Sequence, residues 1–457
     1  MTRRMSVQDT LWLNMDRPDN LMTIDCVFWT SRPVTLAQAR EAMQERMVDR
    51  FPTFGSRPVP APVLGARAAW EPDPHFDLHR HVVAATLPEP GMAGLERFLS
   101  AQRGVPLPDD RPLWLAHVVP ELDGGSAVVI RLHHAIADGI RLTQVALGLF
   151  DGQEPAAATT PRTASPAPGA SLLGGLRSLT GAVLDRVPVA GPLARPFADA
   201  AGELAEQALV QADRARHTVA AVTPLLALPA EVPAAWRGPL GERKSVVWGD
   251  PVPLERVKEV GRRSGGTVND VLTTWLAGAL ARYLTARGEE PVPTTWLMPV
   301  NLKPFDHNLP ETLGNHFAVV PLELPSGREP LSERIALLQR RTGTLRDSHT
   351  AALMYAVQQV GSQTPRPVAR FLTDLVANQS VGVLTNVPGP RRQVTFAGAP
   401  VAGMVAWAPS TSQQPISVSI FSYAGSVVVG FACDERVIPD APALLQAFQD
   451  EVADSLP

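Results

Sequence analysis

Cysteine is nearly absent: Cys26 and Cys433 are the only two in 457 residues. Two thiols cannot build a disulfide framework, so a small cross-linked scaffold is excluded and reduced, buried thiols are expected. Long apolar runs are missing too. Nowhere do about 18 uninterrupted apolar residues occur, so no membrane-spanning helix is expected. The N-terminus, Met1-Thr2-Arg3-Arg4-Met5-Ser6-Val7-Gln8, has charge but no apolar core before a cleavage site, and is not read as a secretory signal. Charge of either sign lacks an excess: 41 Lys and Arg stand against 45 Asp and Glu. Without a dense basic run there is no reason to expect nucleic acid as a partner. A cytoplasmic protein is expected, either free or peripheral on a membrane or lipid-inclusion surface.

What is present is ordinary globular composition, 45% hydrophobic, in a chain longer than one core normally holds. Two domains are therefore expected, with no internal repeat. Residues 1–150 and 241–457 read as mixtures of strands and helices. Residues 151–240 open with an Ala, Pro, Thr, Ser and Gly tract up to 170, which reads as a linker. Leu172, Leu176, Leu179, Val183 and Val187 then keep near-helical spacing beside Arg177 and Arg186. That stretch is either an amphipathic helix on a lipid surface or a crossover helix packed on the second domain. Gly174, Gly175, Gly181 and Pro188 weaken any long helix there. An Ala-rich helix follows at 199–220.

The chain is organised around Arg131-Leu132-His133-His134-Ala135-Ile136-Ala137-Asp138-Gly139. Ala127–Ile130 before it is apolar and β-branched, as in a buried strand. Leu142, Val145, Ala146, Leu149 and Phe150 after it share one helix face. Two histidines and Asp138 thus sit on a strand-to-helix turn, where Gly139 permits the reversal. Imidazole can take and return a proton near neutral pH. Adjacent side chains on a strand point to opposite faces, so only one of His133 and His134 can face a given cavity. Asp138 could orient an imidazole, cap the helix, or pair with an arginine.

Other features carry weaker signals. His75, His79 and His81 lack a carboxylate or cysteine at metal-ligand spacing, and packed or solvated roles are expected. Pro112-Leu113-Trp114 opens a strand, with Trp114 expected to fill core volume. Asp123-Gly124-Gly125-Ser126 is a hairpin turn. Thr267 is an N-cap and Asp270 its capping-box partner. Val268, Val271, Leu272, Trp275, Leu276, Leu280, Tyr283 and Leu284 form the buried side of the helix they start. Asn269 lies in its first turn, where it serves either local turn chemistry or an oxyanion. Further strands are expected at 23–30, 243–248, 294–301, 315–322, 416–420 and 427–431. Further helices are expected at 35–48, 93–103, 330–346, 366–376 and 441–454.

His133-His134-x-x-x-Asp138-Gly139 resembles the HHxxxDG signature of CoA-dependent acyltransferases, a superfamily that includes chloramphenicol acetyltransferase and peptide-synthetase condensation domains. Pro112-Leu113-Trp114, Thr267-Val268-Asn269-Asp270-Val271-Leu272, Leu313-Gly314-Asn315 and Thr385-Asn386-Val387-Pro388-Gly389-Pro390 narrow the resemblance. In that order they are similar to motifs of the bacterial wax ester synthase/diacylglycerol acyltransferase family. Ile140-Arg141-Leu142 and Ala432-Cys433-Asp434 depart modestly from its pattern.

The resemblance implies an α/β fold of two chloramphenicol-acetyltransferase-like domains with mixed sheets and a tunnel at their interface. It implies acyl transfer from acyl-CoA, as co-substrate, to a long-chain alcohol or diacylglycerol, with no other cofactor and no metal. His134 would be the general base and Asn269 an oxyanion donor. His133 and Asp138 would hold the geometry beside Gly139. Pro112, Leu113, Trp114, Asp270 and Asn386 would contact substrate. Three other expectations compete: a polyketide or glycolipid acceptor, a non-catalytic acyl-CoA or lipid-binding protein, and a metal hydrolase built on His133, His134 and Asp138.

Overall fold

The computed structural model describes residues 2–60, 67–137, 139–151, 232–301, 317–347, 354, 358 and 366–456. Asp138, the Leu313-Gly314-Asn315 segment and the linker and helices expected between 152 and 231 lie outside the described residues.

The first half runs β1 (Arg3–Arg4), α1 (Val7–Met15), β2 (Thr23–Thr30), α2 (Leu36–Met43), β3 (Ser56–Val59), β4 (Ala69–Pro72), β5 (Val82–Ala84), α3 (Gly91–Arg103), β6 (Trp114–Leu122), β7 (Gly125–His133) and α4 (Gly139–Gly148). The second runs β8 (Lys244–Trp248), β9 (Val252–Pro253), α5 (Leu254–Ser264), α6 (Val268–Ala286), β10 (Thr294–Asn301), β11 (Phe317–Leu324), α7 (Leu331–Asp347), α8 (Arg366–Ala377) and β12 (Gly382–Pro388). It closes with β13 (Thr395–Phe396), β14 (Ala399–Trp407), β15 (Ile416–Tyr423), β16 (Ser426–Asp434) and α9 (Ala441–Ser455).

Two mixed sheets dominate. The first has the order β13-β14-β2-β7-β6-β5 and the second β11-β10-β12-β15-β16-β8. Every residue of β7 is buried, as expected for a strand flanked on both edges. Arg131 in its middle is tolerated because Asp25 stands directly opposite on β2. Its Nε donates to Asp25 at 3.1 Å, and Arg103 of α3 donates to the other carboxylate oxygen at 2.5 Å. A buried charge so paired does not carry the cost of an orphan. The β6–β7 hairpin turns at Asp123 and Gly124, both at positive φ, as the Gly-Gly signal predicts.

The second half of the chain also contributes strands to the first sheet. β14 lies beside β2 in the first sheet, pairing Met404 with Phe28 and Trp407 with Asp25. Without it β2 would be an open edge, so the second half of the chain completes the sheet of the first. The seam is further closed by α3, whose Ser100 hydroxyl and Glu96 carboxylate accept the outward N–H groups of Val246 and Trp248 on β8. Across it Trp29 stacks on Trp248, which meets Trp407 at a tilt.

In the second half, Thr267 caps α6 with the expected reciprocal bonds to Asp270. The apolar side forecast for this helix is buried except at Val268, which is partly exposed, and most of the helix's remaining surface is buried too. Gly278 is required because a Cβ there would come within 2.4 Å of both Arg334 and Glu451, a buried ion pair.

Candidate active site

The histidine turn is braced from both sides. His133 N–H donates to Leu113 O at 3.0 Å, and His134 N–H donates to Met22 O at 2.7 Å, which extends the β6 and β2 ladders to the end of β7. The His133 ring is committed at both nitrogens. Its Nδ1 accepts the Ala135 N–H at 3.0 Å, and its Nε2 lies 3.0 Å from an Asp16 carboxylate oxygen. Because Nδ1 accepts, the ring proton belongs on Nε2 and is donated to Asp16. Burial alone would raise the Asp16 carboxyl, but hydrogen bonds from His133 and from Met22 N–H outweigh it and hold it below the ordinary carboxylate range.

His134, 5% exposed, faces a different environment, as the strand alternation requires. Its ring stacks on Trp12 of α1 with centroids 4.4 Å apart, and Phe317, the first residue of β11, lies 5.5 Å away. Trp12 and Phe317 are themselves stacked at 5.8 Å. The imidazole is therefore enclosed by rings from both halves of the molecule.

Asn269, in the first turn of α6, accepts from the amide of Asn386 on β12 at 2.8 Å. With its oxygen engaged, Asn269 offers its NH₂ group as donor. A groove of about 480 Å³ opens here, lined by Thr267, Asn269, Asp270, Gln339, Thr342 and Gly343.

Several expected site residues have other duties. Pro112, Leu113 and Trp114 are buried in the first core, where the Trp114 indole donates to Phe54 O. Their place is behind the histidine turn, which Leu113 O holds. Asp270 spends one carboxylate oxygen on the helix cap and on Gln339, so it stabilises the turn that carries Asn269. Gly139 begins α4. His81 donates to or accepts at Trp114 O through Nδ1, and since a carbonyl can only accept, it donates. His79 lies in a 3-10 turn over Leu78–Arg80, which His81 follows. Among the described residues no three His, Cys, Asp or Glu side chains form a metal-holding group. Asp434 holds Lys244 and the Gly241 N–H, which gives that departure a structural role.

Trp12 and Asp16 were not among the residues that the sequence singles out. Their signal is a capping box, Ser6-x-x-Asp9, followed by a tryptophan and an aspartate one helical turn apart. That spacing places both on one face.

Residues 5–272 match a profile for the wax ester synthase/diacylglycerol acyltransferase catalytic domain, and residues 313–454 match the WS/DGAT C-terminal domain. A probable diacylglycerol O-acyltransferase of Mycobacterium tuberculosis (strain ATCC 25618 / H37Rv) is 28% identical over 413 residues, covering 88% of this chain and 84% of the relative. A putative one of Mycobacterium bovis is equally similar. The solved wax ester synthase/diacylglycerol acyltransferase of Marinobacter aquaeolei VT8 superposes with a TM-score of 0.69 at 18% identity, over 99% of this chain and 98% of that one. The first condensation domain of the calcium-dependent antibiotic synthetase shares the fold at a TM-score of 0.57 and 17% identity, over 100% and 97% of the two chains.

Proposed function

From the premise that this chain belongs to the wax ester synthase/diacylglycerol acyltransferase family and is an acyltransferase, we propose that it moves a long-chain acyl group from acyl-CoA to diacylglycerol or a long-chain alcohol, with His134 as general base. The observation that carries this assignment is the division of labour in the histidine pair. His133 is tied at both nitrogens to the loop and to Asp16, while His134 stands among Trp12 and Phe317 where the two halves meet.

The chemistry follows from what an alcohol cannot do alone. Its hydroxyl does not ionise at neutral pH, so a base must take the proton as oxygen attacks the thioester carbon. The tetrahedral intermediate then carries an oxyanion, which the Asn269 amide is suited to receive. On collapse the C–S bond breaks, and the proton held by His134 passes to the CoA thiolate. Aromatic walls around the imidazole keep water from competing for the thioester. Long-chain acceptors partition into lipid, so the reading includes peripheral contact with a membrane or lipid-inclusion surface. No described helix is long and apolar enough to cross a membrane.

The test is CoA release from palmitoyl-CoA with dioleoylglycerol, with hexadecanol and with no acceptor, alongside His134→Ala. Acceptor-dependent release that falls by about two to four orders of magnitude in the folded variant is expected. Undiminished release in that variant would overturn the assignment of the base. Measurable acyl-CoA binding without release to either acceptor would overturn the proposed acceptors. Vesicle flotation checks the surface contact.

A further inference from the structure

We propose that Asp16, at the C-terminus of α1, is the positioning residue that sets where the His134 imidazole stands, acting through two separate tethers. This rests on His134 being the general base. The first tether runs through the side chain of its neighbour. Asp16 accepts the His133 Nε2 proton at 3.0 Å, which leaves His133 Nδ1 to receive the Ala135 N–H at 3.0 Å. The second runs through the backbone. The other Asp16 oxygen accepts the Met22 N–H at 2.5 Å, and the Met22 carbonyl receives the His134 N–H at 2.7 Å.

Both peptide N–H groups that bracket His134, its own and that of Ala135, therefore lead back to one carboxylate. The same helix face presents Trp12, four residues earlier, to the His134 ring. A rigid body of one short helix thus controls the backbone under the imidazole and the ring over it. That helix is itself held by the second half of the chain. Arg370 of α8 donates to Asn14 O at 2.9 Å and to Asp16 O at 2.6 Å. Arg17 bonds both oxygens of Asp374 at 2.7 Å. Leu11, Met15, Met22 and Ala369 form a small core between the two helices.

A carboxylate is required because both its neighbours are donors. A carboxamide of the same shape would have to turn its NH₂ group toward the Met22 N–H or toward the His133 Nε2–H. Keeping both contacts would demand that the His133 proton move to Nδ1, where it would face the Ala135 N–H.

The experiment compares wild type, Asp16→Asn and His134→Ala in acceptor-dependent CoA release, and reads histidine tautomers by ¹⁵N NMR of histidine-labelled full-length protein. In Asp16→Asn, kcat should fall between about tenfold and a hundredfold, as for a displaced reacting group. KM for palmitoyl-CoA should stay within about twofold, since Asp16 bonds His133 and the Met22 N–H and acts on the base only through them. His133 should be the Nε2–H tautomer in wild type and lose that single state in the variant. A merely structural aspartate would lower the amount of folded enzyme and leave the tautomer alone. Wild-type kcat in Asp16→Asn, beside a silent His134→Ala, would overturn the role of Asp16 alone. Full turnover in His134→Ala would overturn the base and this inference with it. Should Asp16→Asn not fold, the wild-type spectrum decides: an Nδ1–H His133 excludes the first tether.

Discussion

Truncating His133 and truncating His134 should fail in different ways. His133→Ala removes one buried and one partly buried hydrogen bond and leaves the Asp16 oxygen and the Ala135 N–H to find other partners. It should lower stability by about 2–4 kcal/mol, visible as a lower melting temperature, with activity lost mainly through the unfolded fraction. His134→Ala should lose turnover in molecules that remain folded. A third histidine makes a pH-dependent prediction. His117 is buried against Phe98, its Nε2 finds no hydrogen-bond partner, and burial with the nearby Arg131 charge pushes it down to about 4. Its folded value lies below the ordinary one near 6.5, so the unfolded chain binds the proton more readily. Its stabilising share is complete above about pH 6.5 and lost as pH falls toward about 4, on the order of 3 kcal/mol in all. His117→Phe should flatten that part of a melting-temperature-against-pH curve. The histidine pair was legible in the sequence because strand alternation separates the two rings. The partner that distinguishes them was not, since Asp16 reaches His133 across 117 positions.

At the scale of elements, α1 is the least expected and the most consequential. Its nine residues carry only a weak apolar periodicity, and an isolated helix of that length is not stable in water. It is held by the Ser6 capping box at one end and by Arg366 and Arg370 of α8 at the other. Arg370→Ala should release the Asp16 carbonyl, leave Asn14 O to Arg366 alone, and cost the anchor of α1 about 1–3 kcal/mol. Hydrogen exchange of the α1 amides would then accelerate by about tenfold to a hundredfold while β7 keeps its protection; equal acceleration in both would refute the local role. The long helix α6 shows the opposite case. Its cap and its apolar side were readable from Thr267 onward, because propensity and burial agree there. What could not be read was its full enclosure, which depends on α7 and α9 packing over it.

The molecule as a whole departs from its sequence most at β14. Pro400 and Gly403 interrupt any alternation in Ala399–Trp407, and nothing local says which sheet the segment joins. Long-range pairing decides that, and periodicity carries no record of it. A chain ending before 394 should therefore lose more than the last strands. It would bare β2 along Asp25–Thr30 and open the core that Phe396, Val401 and Met404 fill. Such a truncation should appear in the insoluble fraction, whereas a self-sufficient first half would stay in solution.

The same wiring bears on how this enzyme can be recombined with its relatives. A chimera that exchanges everything after residue 240 would import a foreign strand into a native sheet, where Gly403 must make room for the Trp29 ring and Phe396 must meet Phe28. Inheritance of the first half is thus spread over two distant stretches of the gene. Chimeras in which 394–407 travels with residues 1–150 should yield more soluble, active protein than those cut once in the middle.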